Sequence, residues 1–163
     1  MSNYYLEVDG IPGECTDGNH KGWILVESFS HGLSQPHATA STGGGARGGI
    51  SKVEHGDFTV VKQLDKASPK LFLQCCNGKR IPTVTIELVR QVDDKMTYQK
   101  YVFTGALVRS VSTSLSEGGE RPEEEVAFAY EKMEMTYTEV DPRTNKANGD
   151  TMMVWDALQN VGG

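Results

Sequence analysis

The chain is poor in the features that mark most catalytic, exported or membrane-bound proteins. It has three cysteines in 163 residues, and two of them are neighbours, Cys75 and Cys76. An odd, crowded set of this kind makes a poor disulfide framework and points to burial as small hydrophobes. No apolar run approaches the roughly 20 residues that a membrane-spanning helix needs. The N-terminal MSNYYLEVDG has neither a basic n-region nor an apolar h-region, so the expectation is folding in the cytoplasm with no cleaved signal. Positive charge is in deficit: 16 Lys and Arg against 22 Asp and Glu leave a net charge of −6. That balance works against nucleic acid, whose binders need a basic face to displace counterions. It also works against insertion into or attachment to an anionic membrane. What it favours is a soluble protein that tolerates high concentration.

Recognisable chemistry is missing as well. The glycine-rich GGGARGG at 43–49 has no Gly-Lys-Ser/Thr leading into a helix, so it lacks the lysine and the helix N-terminus that hold a phosphate. The histidines His20, His31, His37 and His55 show no i,i+4 pair and no accompanying Cys-x-x-Cys. They read as scattered solvated residues rather than a metal set, with convergence of His31 and His37 across one loop left open. There is no Gly-x-Ser-x-Gly elbow to expose a nucleophile. The acidic pair Asp93-Asp94 reads as a solvated turn, and the run Glu123-Glu124-Glu125 as a solvated strand entry. The expectation is no enzyme, no cofactor and no metal.

What the chain does have is alternation. Tyr4, Leu6 and Val8 share one strand face, and Val84, Ile86 and Leu88 share another. Further strands are expected at 23–31, at 57–62 and over the last apolar segment, TMMVWDAL. The run 98–115 is long enough for a single bent strand, with Gly105 as its kink. Along 125–140 the apolar phase slips near Glu131 and Lys132, which fits a β-bulge or a strand crossing between two buried environments. One segment departs from period two. In 65–79, Ser68 suits an N-cap, Pro69 the first helical position and Asn77-Gly78 the stop, with Phe72, Cys75 and Cys76 on one face. Many strands with a single short helix imply an all-β single domain over 1–163, a closed or nearly closed β-barrel. Residues 34–49 make a long glycine-rich connection, and such loops in compact domains are usually functional or disordered.

The block YLEVDGIPGECTD, followed by His20, Trp23-Ile24 and the strand through Ser28, Phe29, Ser30, His31 and Gly32, resembles the opening of the Hcp (haemolysin-coregulated protein) family of type VI secretion systems. Cys15 stands where that pattern usually has Ser, and His31 where it often has an aromatic. FTVVKQLDKASPKLF is similar to the family's strand-to-helix junction, and 107–137 to its late hairpin. The resemblance runs in order through nearly the whole chain. It implies a β-barrel of two roughly orthogonal antiparallel sheets with one short α-helix. It further implies homohexameric rings stacking into the inner tube of a contractile injection machine. A VgrG-type spike would tip that tube, sheath proteins would surround it, and small effector proteins would ride in the channel. Such a protein waits in the bacterial cytoplasm and is then secreted, and a chain without a long C-terminal extension reads as a plain tube subunit.

On that frame the loop residues Gln35, Gly43, Gly44, Gly45, Arg47, Gly48 and Gly49 are candidates for ring stacking. Ser28 and Ser30 are candidates for the channel wall, unless they form an ordinary polar strand face. A phage-like tail tube protein is the neighbouring reading. A monomeric β-barrel binding module, stacking ligands such as glycans on Trp23, Trp155 and the tyrosines, is the reading from another class.

Overall fold

A computed structural model describes residues 2–36, 53–92, 94–119, 121–144 and 146–163. Strand β8 (Asp94–Ser114), 21 residues long, is the element that the others are built on. It bends at Gly105, whose φ of +63° is costly for any residue with a side chain. Before the bend β8 pairs with β7 (Ile81–Val92) and β10 (Lys132–Val140), and after it with β9 (Glu123–Ala129). One strand therefore serves two sheets. The kink expected at Gly105 is there, and its purpose is this change of sheet.

The first sheet has the order β12 (Val161–Gly162), β11 (Ala147–Asp156), β10, β8, β7, β1 (Ser2–Val8), β2 (Ile24–Val26). In the second, β3 (Ser28–Ser30) pairs β6 (Phe58–Gln63), β6 pairs β9, and β9 pairs β8. All these pairings are antiparallel. A two-residue pair, β4 (Leu33–Ser34) with β5 (Glu54–His55), stands apart.

The mainly β architecture with one helix matches the sequence reading, but the closed barrel does not form. The segment expected as one strand at 23–31 divides at Glu27. Its N–H donates to Val61 O at 2.7 Å, handing the chain from β1 to β6. The sheets are thus joined at two corners, β8 and the β2–β3 segment, where strands turn rather than continue one ladder. The phase slip near Glu131 is the second of the two alternatives left open. β9 ends at Ala129 in the second sheet and β10 begins at Lys132 in the first, so the apolar residues change phase because they change sheet. The last strand is also longer than expected, since β11 already starts at Ala147.

Both sheets bury one face in a common core. Phe58 stacks between Phe103 at 3.9 Å and Phe128 at 4.7 Å, so β6, β8 and β9 meet in a single column of rings. The helix α1 (Ser68–Asn77) has Pro69 in its first turn and ends on Gly78 in the left-handed conformation. Its buried residues are Ser68 and Leu71. This shifts the expected face by one position: Phe72 is 38% exposed and Cys76 is exposed, while Cys75 packs against the core and Cys15 is buried. The expected burial of the cysteines therefore holds at Cys15, in part at Cys75, and is corrected at Cys76.

Ser68 is not the cap either. Its hydroxyl accepts from the Asp65 N–H and from Lys62 Nζ, both at 3.1 Å. Lys62 is the reason. It lies on β6 with no exposed surface, its ammonium 3.0 Å from Glu124 Oε1 and 2.9 Å from Asp65 Oδ1. Glu124 is equally buried and sits directly across the β6–β9 ladder. Desolvating such ions costs several kcal/mol each, and only mutual pairing offsets it. Glu124→Leu is therefore expected to destabilise by about 3–5 kcal/mol. The double change Lys62→Met with Glu124→Leu should cost less than that single one. Urea unfolding at fixed protein concentration reads both values, and a double variant weaker than Glu124→Leu would refute the pairing.

Candidate assembly surfaces

The strand alternation places Ser28 and Ser30 outward, both exposed, with Phe29 turned to the core between them. Directly paired residues of neighbouring strands share a face, so the register extends each serine into a row. One row runs Ser30, Thr59, Ala127, Ser110 across β3, β6, β9 and β8. The next runs Ser28, Val61, Glu125, Ser112. The outer face of the second sheet is thus made of small and mostly uncharged side chains. Thr59, Ala127, Ser110 and Ser112 were not singled out from the sequence. The signal was present in the Ser110-Val111-Ser112 alternation, but a row exists only once four strands are in register.

At one border of this face stand Gln63 and Glu123, paired across β6 and β9. A hydrogen bond that the protonated Glu123 carboxyl donates to Glu27, and then the negative charge of Glu27, push the Glu123 carboxyl above the usual range.

A second surface arises because β7, β8, β10 and β11 outrun the second sheet. On their inner side the row Val84, Phe103, Met133, Trp155 lies over the core. The next row, Ile86, Tyr101, Met135, Met153, is covered only in part. The row beyond, Leu88, Gln99, Tyr137, Thr151, reaches solvent, with Tyr137 48% exposed. A core-type face continues past its own cover, and burial of the Tyr101 hydroxyl raises its pKa there.

The opening block of the chain covers the opposite side of the first sheet. Tyr5 stacks on His20 at 4.1 Å, with Trp23 edge-on to the imidazole at 4.8 Å. His20 Nε2 lies 2.6 Å from Glu87 Oε2, which Thr97 also contacts, while Lys100 Nζ is 3.7 Å from Oε1. Gly13 is required because a Cβ there would collide with the Trp23 carbonyl. The histidines are therefore not all solvated: His20 is 5% exposed. The convergence of His31 with His37, left open by the sequence, falls outside the described residues, and His31 converges with His55. Both meet the Tyr130 hydroxyl, at 2.8 and 2.7 Å. Gln35 is exposed just beyond β4. His37, Gly43, Gly44, Gly45, Arg47, Gly48 and Gly49 lie outside the described residues. Among the described residues there is no group of three His, Cys, Asp or Glu placed to hold a metal, and no helix long and apolar enough to cross a membrane.

Two extended faces, one mostly small and polar and one apolar and only partly covered, suit contact with other protein surfaces. A family model for the type VI secretion system effector Hcp matches residues 5–137. The chain belongs to the Hcp family. It is similar to protein hcp1 of Pseudomonas aeruginosa, with 28% identity over 158 residues and 96% of each chain covered. A solved type six secretion system protein superposes with a TM-score of 0.91 at 31% identity, covering all of both chains. Hcp1 from Salmonella typhimurium superposes at 0.81 with 28% identity, covering 99% of each. The strand-to-helix junction that carried the Hcp resemblance, Lys62 to Leu71, is here the buried ion cluster and the first turns of α1.

The inside–outside assignment of this Hcp second sheet is directly checkable. Ser28→Lys and Ser30→Lys should each change stability by no more than about 0.5 kcal/mol. Phe58→Ala, which empties the ring column, should cost about 3–5 kcal/mol. Thermal unfolding of the variants at one protein concentration measures both.

Proposed function

We propose that this chain is a tube subunit of a type VI secretion system, a non-enzymatic building block that closes into a ring of six. The observation that carries the reading is the partly covered apolar face of the first sheet, from Tyr101, Met135 and Met153 out to Leu88 and the exposed Tyr137. Such a face is stable in water only if another surface covers it. A contact to a different patch on an identical neighbour, repeated by a rotation that closes, gives a ring.

The small-residue rows through Ser28, Ser30, Thr59, Ala127, Ser110 and Ser112 then line the channel. Short side chains without a strong charge pattern make a wall to which a passing protein does not bind tightly, which suits carriage of small effectors. Rings stack through the segment that contains Gln35, Gly43, Gly44, Gly45, Arg47, Gly48 and Gly49. A VgrG-type spike at the tip and sheath proteins around the tube complete the machine. The subunit assembles in the bacterial cytoplasm and leaves with the tube when the machine fires.

Negative-stain electron microscopy with light scattering tests the ring: six-fold particles with an open centre are expected, and a monomer at high concentration overturns the reading. Replacing Met135 and Tyr137 together by Glu should abolish rings while leaving a folded monomer by circular dichroism. Deleting Gly43–Gly49 should leave rings and abolish tubes, and intact tubes would remove that segment from the stacking role.

A further inference from the structure

The stem of the segment 37–52 is held by very little backbone. Among the described residues β4 and β5 pair as Leu33 with His55 and Ser34 with Glu54, with the Gly56 N–H donating to the Gly32 carbonyl at 3.0 Å, a ladder too short to persist alone. A hydroxyl from the crossing between β9 and β10 ties it to the rest of the molecule. Tyr130, at the crossing from β9 to β10, places its Oη 2.8 Å from His31 Nε2 and 2.7 Å from His55 Nδ1, with Met133 Sδ at 3.6 Å. Both imidazoles stand edge-on to the phenol ring at 5.4 Å, and His31 also meets Phe103 edge-on at 5.5 Å. The site is half-buried, so charge placed there is incompletely solvated.

A phenol has one proton and two lone pairs, and a neutral imidazole has one donor and one acceptor nitrogen. With both rings neutral, Tyr130 donates to one and accepts from the other. Protonating the accepting ring turns it into a second donor, and the phenol proton is left with the thioether of Met133, a weak acceptor. Protonating the other ring as well sets two cations around one oxygen. Of the carboxylates on the adjoining segments, Asp57 acts on the Tyr130 hydroxyl while paired with Arg109 at 3.4 Å, Glu131 pairs with Arg80 at 3.0 Å, and Glu54 is exposed on β5.

We propose that His31, Tyr130 and His55 form an acid-labile clasp, which holds the β4–β5 stem at neutral pH and releases it when both imidazoles are protonated. Burial, and then the neighbouring His55, lower the pKa of His31 below its ordinary value. The same burial, with Asp57, raises that of Tyr130, which therefore stays a hydroxyl throughout. The closed clasp thus binds fewer protons than the open stem. Its stability falls as the pH drops below the ordinary histidine value of about 6.5, and the loss is complete below the lowered value of His31.

The clasp does not depend on what the segment 37–52 does. Only its consequence for tubes rests on the stacking reading. Hydrogen exchange of the assembled full-length protein, corrected for the intrinsic pH dependence, should show protection of 31–36 and 53–57 falling about tenfold or more between pH 7.5 and 5.0. Protection of β7 and β8 should hold. His55→Gln, which can still hydrogen-bond but does not titrate, should flatten that response. A stem response that is absent, or equal in wild type and His55→Gln, overturns the clasp. NMR titration of the wild-type imidazoles gives an independent reading. Two separated steps are expected for His31 and His55, and one shared, ordinary step refutes the proposal. If the stem opens in acid while tubes persist, the clasp stands and the stacking role of the segment falls.

Discussion

A lysine ammonium with no exposed surface is the constraint on which the second sheet and the helix both depend. Lys62 cannot sit inside the protein unless Glu124, Asp65 and Ser68 converge on it. Glu124 fixes the β6–β9 register, Asp65 receives the chain as it leaves β6, and Ser68 begins α1. A slip of one residue between β6 and β9 would leave buried charges unpaired and turn Phe58 and Phe128 outward. The ion cluster therefore selects one register, while the rings of Phe58, Phe103 and Phe128 supply the apolar burial. Polar specificity and hydrophobic stabilisation come from adjacent rungs of the same ladder.

That register has a consequence on the far side of the sheet. Because Lys62, Val60 and Phe58 face in, Val61 and Thr59 face out, level with Ser28, Ser30, Ser112 and Ser110. The smooth outer face is thus the complement of the core pattern. The first sheet follows a different logic. Its strands keep their apolar alternation beyond the edge of their cover, so Leu88, Met135 and Tyr137 remain suited to a core that the single chain does not complete.

The most specific sequence block, 4–33, has a structural role of the same character. Its glycines and its His20 let the loop after β1 fold back over Tyr5, where the imidazole is held by Glu87. Cys15 is buried in that small cluster with Tyr5, Val89 and Trp23, as a serine hydroxyl would be only with a partner. His31, which departs from the aromatic often found there, still packs against Phe103 and gains a hydrogen bond to Tyr130.

Local order was legible in the sequence. Period-two alternation marked the strands, Gly105 the bend of β8, and Pro69 with Asn77-Gly78 the two ends of α1, because backbone dihedrals and side-chain alternation are properties of a few consecutive residues. The motif order was specific enough to indicate the Hcp family. Only the tertiary structure decided which strands share a face, because pairing joins residues far apart in the chain. It turned the slip at Glu131 into a change of sheet, split the expected second strand at Glu27 into a corner between two sheets, moved the buried face of α1 to Leu71, and buried a lysine that any local pattern would leave in water. It also gave His31 its partner at His55, for that meeting depends on where β9 crosses to β10, and no stretch of sequence near either histidine records it.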